Sequence, residues 1–325
     1  MIVLGIEGTA WNLSASLVDD DEVLCEASSA YIPASGGIHP REAAQHVANN
    51  IASVIRQVLS STDSRLIEGI AFSQGPGLGP CLRIVGTAAR ALSLRLGVPL
   101  VGVNHCIAHI EVGRWKTDLV DPIVLYVSGA NSQVLSYRHQ RYRILGETLD
   151  IGIGNCLDKF ARSAGLPHPG GPKVERLAQE SRNYLPMPYV VKGMDFSFSG
   201  IVTAATEALK SASLEEICYS FQETAFSMLV EVSERALSQM DKSELLLAGG
   251  VGANKRLQEM LSIMCAQRGA RFCAPKSEYL RDNGAMIAYT GLLMLRHGIQ
   301  TPIASSGANP SFRPDEVEVL WIETH

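Results

Sequence analysis

Apolar and polar positions along the chain fall into two repeating patterns. Ile2 to Ile6 is an apolar, β-branched run, and Gly8-Thr9 breaks it. Leu13 to Val18 resumes the run, Asp19-Asp20-Asp21 turns it, and Glu22 to Ala27 follows. Short apolar runs bounded by turn residues predict three strands joined by tight connections. The grouping then returns. Ile123 to Val127 is apolar, Ser128-Gly129-Ala130-Asn131 breaks it, Gln133 to Tyr137 resumes, and Arg141 to Leu145 follows. Two copies of one hairpin unit, roughly 120 residues apart, predict a duplicated architecture.

The intervening segments carry the other period. From Arg41 to Leu59, Val47, Ile51, Val54, Ile55 and Val58 share one helical face. Ile84, Val85, Ala88, Ala89 and Leu92 do the same. A longer helix is expected from about Leu214 to Met240, with Ile217, Phe221, Ala225, Leu229, Val232 and Ala236 inward, and another from Gly284 to Arg296. Leu245 to Ala248 and Arg271 to Ala274 read as short buried strands. Strands alternating with helices predict an α/β class. We place the boundary between two domains at a weak break near Leu100 to Val103.

Composition narrows the picture. The 325 residues are 46% hydrophobic and 19% charged, which suits a soluble globular chain with a large core. The longest apolar runs fall well short of the ~18 residues a membrane span needs. The start lacks a basic segment and a small-residue cleavage site, so a signal peptide is not expected and a cytoplasmic location is. Seven scattered cysteines without a C-x-x-C pair suit reduced thiols. The formal net charge is −5, so a nucleic-acid substrate would need partner subunits for much of its electrostatic hold.

Candidate chemistry sits at a few places. His105 and His109 are four apart, a spacing that puts both imidazoles on one helical face, close enough to share a metal. The same spacing is common in surface and core histidines. Cys106 follows His105, so the metalloprotease pattern H-E-x-x-H is absent. The other six histidines, His39, His46, His139, His168, His297 and His325, suggest no chemistry. The turns Ser128-Gly129-Ala130-Asn131 and Gly8-Thr9 can each bring backbone N–H groups to a phosphate, or be plain hairpin turns. Gly249-Gly250-Val251-Gly252-Ala253-Asn254 joins a buried strand to a helix. Its glycines admit a flat ligand or phosphate, while Asn254 is a natural helix cap. In Gly170-Gly171-Pro172, proline suits the first helical position. Glu175 then either complements the dipole of its own helix or bonds ligand hydroxyls. Asp282 reads first as an N-cap, and Tyr126 as a core residue.

Eleven segments, in order, resemble one family: Ile6 to Ala10, Gly36 to Pro40, Ser73 to Pro80, Asn104 to His109, Tyr126 to Asn131, Asp150 to Asn155, Gly170 to Lys173, Asp195 to Gly200, Ser220 to Ala225, Gly249 to Asn254 and Asp282 to Tyr289. Together they resemble the TsaD/OSGEP family in its archaeal or eukaryotic form, the catalytic subunit of the KEOPS complex. The resemblance implies a two-lobed actin-like ATPase (ASKHA) fold with duplicated βββαβα-type domains and a nucleotide cleft between them. Residues 1–102 would form the first lobe, with 299–325 packing back on it, and residues 103–298 the second. It implies transfer of a threonylcarbamoyl group from threonylcarbamoyl-AMP to the exocyclic amine of the adenosine 3′ of the anticodon, in tRNAs reading codons that begin with A.

The family's metal ligands fall on His105, His109, Tyr126 and Asp282. This is a mixed N/O set suited to iron or zinc, which a tyrosinate leans toward ferric iron. Its contacts to threonylcarbamoyl-AMP or ATP/AMP fall on Tyr126, Val127, Ser128, Gly129, Ala130, Asp158, Gly171, Glu175 and Asn254. No general base is assigned. Expected partners are tRNA, a small atypical kinase/ATPase subunit that is fused to the protein in some archaea, a small dimerising subunit, and a further small subunit at the tRNA end; no membrane is expected. The exposed side of the Arg41–Leu59 helix is a candidate docking surface. Ala130 stands where relatives often have glycine, Gly252 where they have alanine, and Leu280 where they often have cysteine. A metallopeptidase, a small-molecule kinase of the same superfold and a nucleotide-gated scaffold are the competing readings.

Overall fold

A computed structural model describes residues 1–33 and 37–322. Gly36 of the second family segment and His325 lie outside the described residues. The chain opens with β1 (Ile2–Glu7), β2 (Asn12–Val18) and β3 (Val23–Ala30). Next come α1 (Pro40–Leu59), β4 (Ile67–Gly75), α2 (Gly79–Leu96), β5 (Leu100–Asn104) and α3 (His105–Trp115). The cycle repeats with β6 (Ile123–Val127), β7 (Ser132–Arg138) and β8 (Arg141–Glu147). A longer excursion follows through α4 (Ile153–Ser163), α5 (Gly171–Ala178), the two-residue strands β9 (Val191–Lys192) and β10 (Asp195–Phe196), α6 (Ser199–Ala208) and α7 (Leu214–Gln239). The chain then forms β11 (Glu244–Ala248), α8 (Lys255–Arg268), β12 (Arg271–Cys273), the single turn α9 (Ser277–Leu280) and α10 (Gly284–Arg296).

The duplication is complete at the level of topology. The first sheet runs β3-β2-β1-β4-β5 and the second, read the same way, β8-β7-β6-β11-β12. In each, the three-strand meander is antiparallel and the last two strands add parallel. Parallel addition needs a crossover, and helices supply it. The helical faces bury as their spacing predicts: Val47, Ile51, Val54, Ile55 and Val58 on α1, and Ile217, Phe221, Ala225, Leu229, Val232 and Ala236 on α7. The break expected near Leu100 to Val103 is instead β5, an edge strand whose residues are all buried. β4, with two glycines in nine residues, has no clean strand pattern; a side chain at Gly69 would stand 2.3 Å from Leu295 Cδ1.

The last helix of each repeat crosses to the other sheet. α3, which follows the first sheet, packs on β11 and β6; α10, which follows the second, covers β1, β2 and β4; the two helices pack on each other. Sequence places α10 with the second lobe, and the structure lays it on the first sheet. The reason is a small-residue face. A Cβ on Gly5 would stand 2.3 Å from Ala288 N, one on Gly284 2.6 Å from Ala15 C, and one on Gly291 2.3 Å from Ala71 Cβ. Only glycine permits so close a helix-on-sheet approach.

The chain after α10 spans both lobes rather than returning only to the first. Gln74 Nε2 on β4 donates to Ser305 O and Gly307 O, and Gln74 O accepts from Asn309 N. Further on, Val317 and Val319 join the second lobe's apolar cluster, and Tyr137 OH donates to Val319 O at 2.9 Å. Among the described residues, no helix is long and apolar enough to cross a membrane.

Candidate functional site

Because the terminal helices are exchanged, their first turns meet between the lobes. α3 begins where Asn104 accepts from Cys106 N and Ile107 N at 2.9 and 3.2 Å, a side-chain cap. The helix therefore presents His105 and His109 from its first two turns. α10 is capped by Asn283, whose side chain accepts from Met286 N at 2.8 Å. Asp282, read from sequence as the cap, is thereby left free. Asn12 Nδ2 holds its carbonyl at 2.8 Å, and its carboxylate turns toward the histidines.

His105 Nε2 lies 3.4 Å and His109 Nε2 3.1 Å from Asp282 Oδ1. The donor atoms of these three residues all lie within 4.8 Å of one another, and the group can hold a metal ion. Around an ion with bonds of ~2.1 Å, tetrahedral donors stand ~3.4 Å apart, so the observed separations match. Tyr126, near the end of β6, is fully buried. Its ring centroid is 5.6 Å from that of His109, and its hydroxyl has no hydrogen-bond partner. An orphaned buried hydroxyl beside two imidazoles and a carboxylate fits the role of a further ligand.

Glu7, the last residue of β1, has no sequence signal of its own that marks a role. It is fully buried, and its Oε1 accepts both Thr9 N and Thr9 Oγ1 at 2.7 Å. Its Oε2 lies 3.1 Å from His105 Nδ1. A carboxylate on Nδ1 keeps the proton there and leaves Nε2 as the ligating lone pair. Two carboxylates, the buried Glu7 and the partly buried Asp282, thus flank His105. Burial opposes its imidazolium, but these charges outweigh it and hold His105 well above its ordinary pKa. For His109, burial prevails and its pKa is lowered. Burial raises Asp282, yet the charge and hydrogen bond of His105 bring it far below the usual carboxylate range. Tyr126 is pushed up by burial. The negative surplus favours a cation, whose binding would displace the His105 proton.

The two glycine turns differ. At Gly8-Thr9 the N–H groups are used internally, since Gly8 N donates to Ser73 Oγ at 3.2 Å and Thr9 N to Glu7. Of the two readings left open for this turn, phosphate site or plain hairpin turn, its internal bonds favour the plain turn. In the second turn, Ser128 N donates to Asn131 O and Asn131 N to Ser128 Oγ, at 2.8 and 3.1 Å. The exposed Gly129 and Ala130 keep free N–H groups among the described residues. Ala130 has no positive φ, so its methyl brings no strain. Gly154 N and Asn155 N donate to Ser128 O and Gly129 O, pinning the turn to the start of α4.

The remaining cleft residues have protein partners. Asp158 Oδ1 accepts from Gly170 N at 2.7 Å, and its Oδ2 lies 3.4 Å from His168, which pattern had passed over. Gly171 begins α5. Glu175 is not in the first turn of its own helix; its Oε1 accepts from Lys255 N at 2.7 Å and so complements the start of α8. Asn254 caps α8, accepting from Leu257 N at 3.1 Å. Gly249, at φ +89°, has its Cα against β6: a Cβ there would stand 2.4 Å from Val127 O. The glycine loop therefore borders Tyr126 and Val127, and β6 runs from Tyr126, beside His109, into the open turn.

Comparison with known proteins bears on the family and the fold. A family model described as TsaD, tRNA N6-adenosine threonylcarbamoyltransferase, matches residues 22–289. A tRNA N6-adenosine threonylcarbamoyltransferase of Methanococcoides burtonii is 66% identical, covering 98% of this chain and 97% of its own. A probable bifunctional tRNA threonylcarbamoyladenosine biosynthesis protein of Methanosarcina mazei is 64% identical, and this chain spans 60% of its length. Among solved structures, HypF of T. kodakarensis superposes with a TM-score of 0.68 at 16% identity, over 92% of this chain and 48% of that one. The activator of 2-hydroxyisocaproyl-CoA dehydratase from Clostridium difficile gives 0.54 at 9%, over 92% and 97%. At such identities the likeness speaks for the fold alone, the two-lobed actin-like ATPase fold. The metallopeptidase and scaffold alternatives are not favoured. The chain belongs to the TsaD family, whose reaction is transfer of a threonylcarbamoyl group to N6 of an adenosine in tRNA.

Proposed function

We propose that this transferase takes its acyl group from threonylcarbamoyl-AMP and delivers it to the adenosine 3′ of the anticodon, in tRNAs reading codons that begin with A. The reading is carried by one observation: the His105–His109–Asp282 group, with the orphaned Tyr126 hydroxyl, borders a turn whose N–H groups are free. His105, His109, Tyr126 and Asp282 would hold iron or zinc, with tyrosinate favouring ferric iron. When bound, the ion supplies Lewis-acid polarisation of donor oxygens. Gly129 and Ala130 N–H groups bind the phosphate from one side, with Ser128 and Val127 setting the turn. Asp158 and Glu175 bond the ribose hydroxyls, next to Gly171 and Asn254.

In the transfer, the adenine N6 attacks the carbamoyl carbon. An N–C bond forms, the C–O bond to the phosphate breaks, N6 loses a proton and AMP leaves. An adenylate is already a good leaving group, so the protein's task is to position both reactants and stabilise charge rather than to supply a strong base. The boundary between the lobes is proposed at 102/103, with α10 packed on the first lobe and the chain after it lying across both. The name of the bifunctional relatives supports a second protein of the same pathway as partner, in line with the expected kinase/ATPase subunit. The small dimerising subunit and a cytoplasmic location complete this reading.

The test mixes the chain with its complex partners, unmodified tRNA and threonylcarbamoyl-AMP, then seeks the modified nucleoside by mass spectrometry. Modification by the wild type and none by His105→Ala/His109→Ala is expected. Equal modification by both would reduce the histidines to structure.

A further inference from the structure

The start of α8 is held from three directions by side chains of other helices. Asn254 Nδ2 donates to Gln222 Oε1 of α7 at 3.0 Å. Lys255 N donates to Glu175 of α5. Arg256 makes a two-pronged bond to Glu223 of α7, Nε to Oε1 and Nη2 to Oε2, both at 2.7 Å. Consecutive residues of α7 thus grip the cap and the second residue of α8. Gln222 is 3% exposed and Asn254 7%, so neither finds water as a substitute partner.

Donor and acceptor counting fixes the orientation of the pair. Leu257 N can only donate, so Asn254 must turn its Oδ1 to it. The Asn254 NH₂ then needs an acceptor, and Gln222 Oε1 is the one present. Without it the buried amide either loses a bond or rotates, and rotation undoes the cap. The cap stands directly after the Gly249–Ala253 turn, which packs against Val127, next to the open turn that begins at Ser128.

We propose that Gln222 is a positioning residue for the nucleotide: it locks the Asn254 carboxamide, and through it sets the glycine turn that the nucleotide packs on, with Glu223 as a weaker second anchor. This rests on the nucleotide reading of the cleft. Gln222 does not touch the ligand, and it takes no part in holding the metal group.

The test titrates ATP into the metal-loaded chain by calorimetry, at a temperature where thermal melts show every variant folded, with metal content measured alongside. Gln222→Met, which keeps the volume and removes the acceptor, should weaken ATP binding about tenfold. Gln222→Glu, which keeps the acceptor, should restore most of it. Metal content should stay unchanged in both. Glu223→Gln, a milder change, should weaken binding about threefold and serves if Gln222→Met does not fold. Wild-type affinity in both Gln222→Met and Glu223→Gln would overturn the proposal, as would Gln222→Glu binding as poorly as Gln222→Met. A wild type that binds no ATP or AMP would instead sink the nucleotide reading itself.

Discussion

The chemistry of the cleft is decided residue by residue, by which polar atoms have partners. Glu7 spends both oxygens on Thr9 and His105, so it orients His105 and keeps no oxygen free for an ion. Tyr126 keeps a buried hydroxyl with nothing to bond. An unsatisfied buried hydroxyl costs about 1–3 kcal/mol. Tyr126→Phe should therefore raise the stability of the metal-free chain by about 1 kcal/mol, seen in chemical denaturation. The same substitution should lower metal retention after dialysis, measured as bound iron or zinc per chain. Undiminished retention would remove Tyr126 from the ligand set.

At the scale of elements, helix starts organise the second lobe. Asp150, outside α6 in sequence, accepts from Phe198 N at 3.0 Å and Ser199 N at 2.9 Å, and from the Ser197 hydroxyl. Burial raises its carboxyl pKa, but these bonds at a helix N-terminus outweigh it and hold it well below the ordinary value of 3.8. A depressed folded pKa contributes stability that is fully present above the unfolded value and is lost as pH falls through the folded one. Asp150→Asn should thus cost about 1 kcal/mol near pH 7, a modest figure because the site is partly solvated. The gap from wild type should hold down to about pH 5 and shrink progressively as pH falls below about 4 toward the folded pKa, read from denaturation midpoints across pH. A gap that widens on acidification would contradict this assignment.

Across the whole molecule, the exchanged helices are what bring the histidines and Asp282 together. α3 carries both histidines onto the second sheet, and α10, entered through Asp282, lies on the first. The contact depends on Gly5, Gly284 and Gly291. Gly5→Val would drive a side chain into the backbone of Ala288, and overpacking of this kind costs about 3 kcal/mol or more. It should also lower metal retention, since Asp282 moves with α10. A folded variant with normal metal content would show that α10 does not set the ligand geometry.

Periodicity alone determined much of this protein. The helical stripes of α1 and α7 were legible because each helix buries one face at a regular spacing, and the meander strands β1, β2, β6 and β7 because they are buried along nearly their whole length and read as short apolar runs. The paired histidines and the glycine turns were visible as candidates for the same local reason. Partnership was not visible. That Asn283 and not Asp282 caps α10, that Glu175 serves α8, that Gly8-Thr9 has no N–H to spare, and that Glu7 and Gln222 orient other residues all depend on atoms far apart in sequence. The exchange of α3 and α10 was equally hidden, because a helix's apolar face records that it is covered and not which sheet covers it. Hydrogen-bond satisfaction and close packing are properties of the folded arrangement, and they selected among the roles that residue types left open.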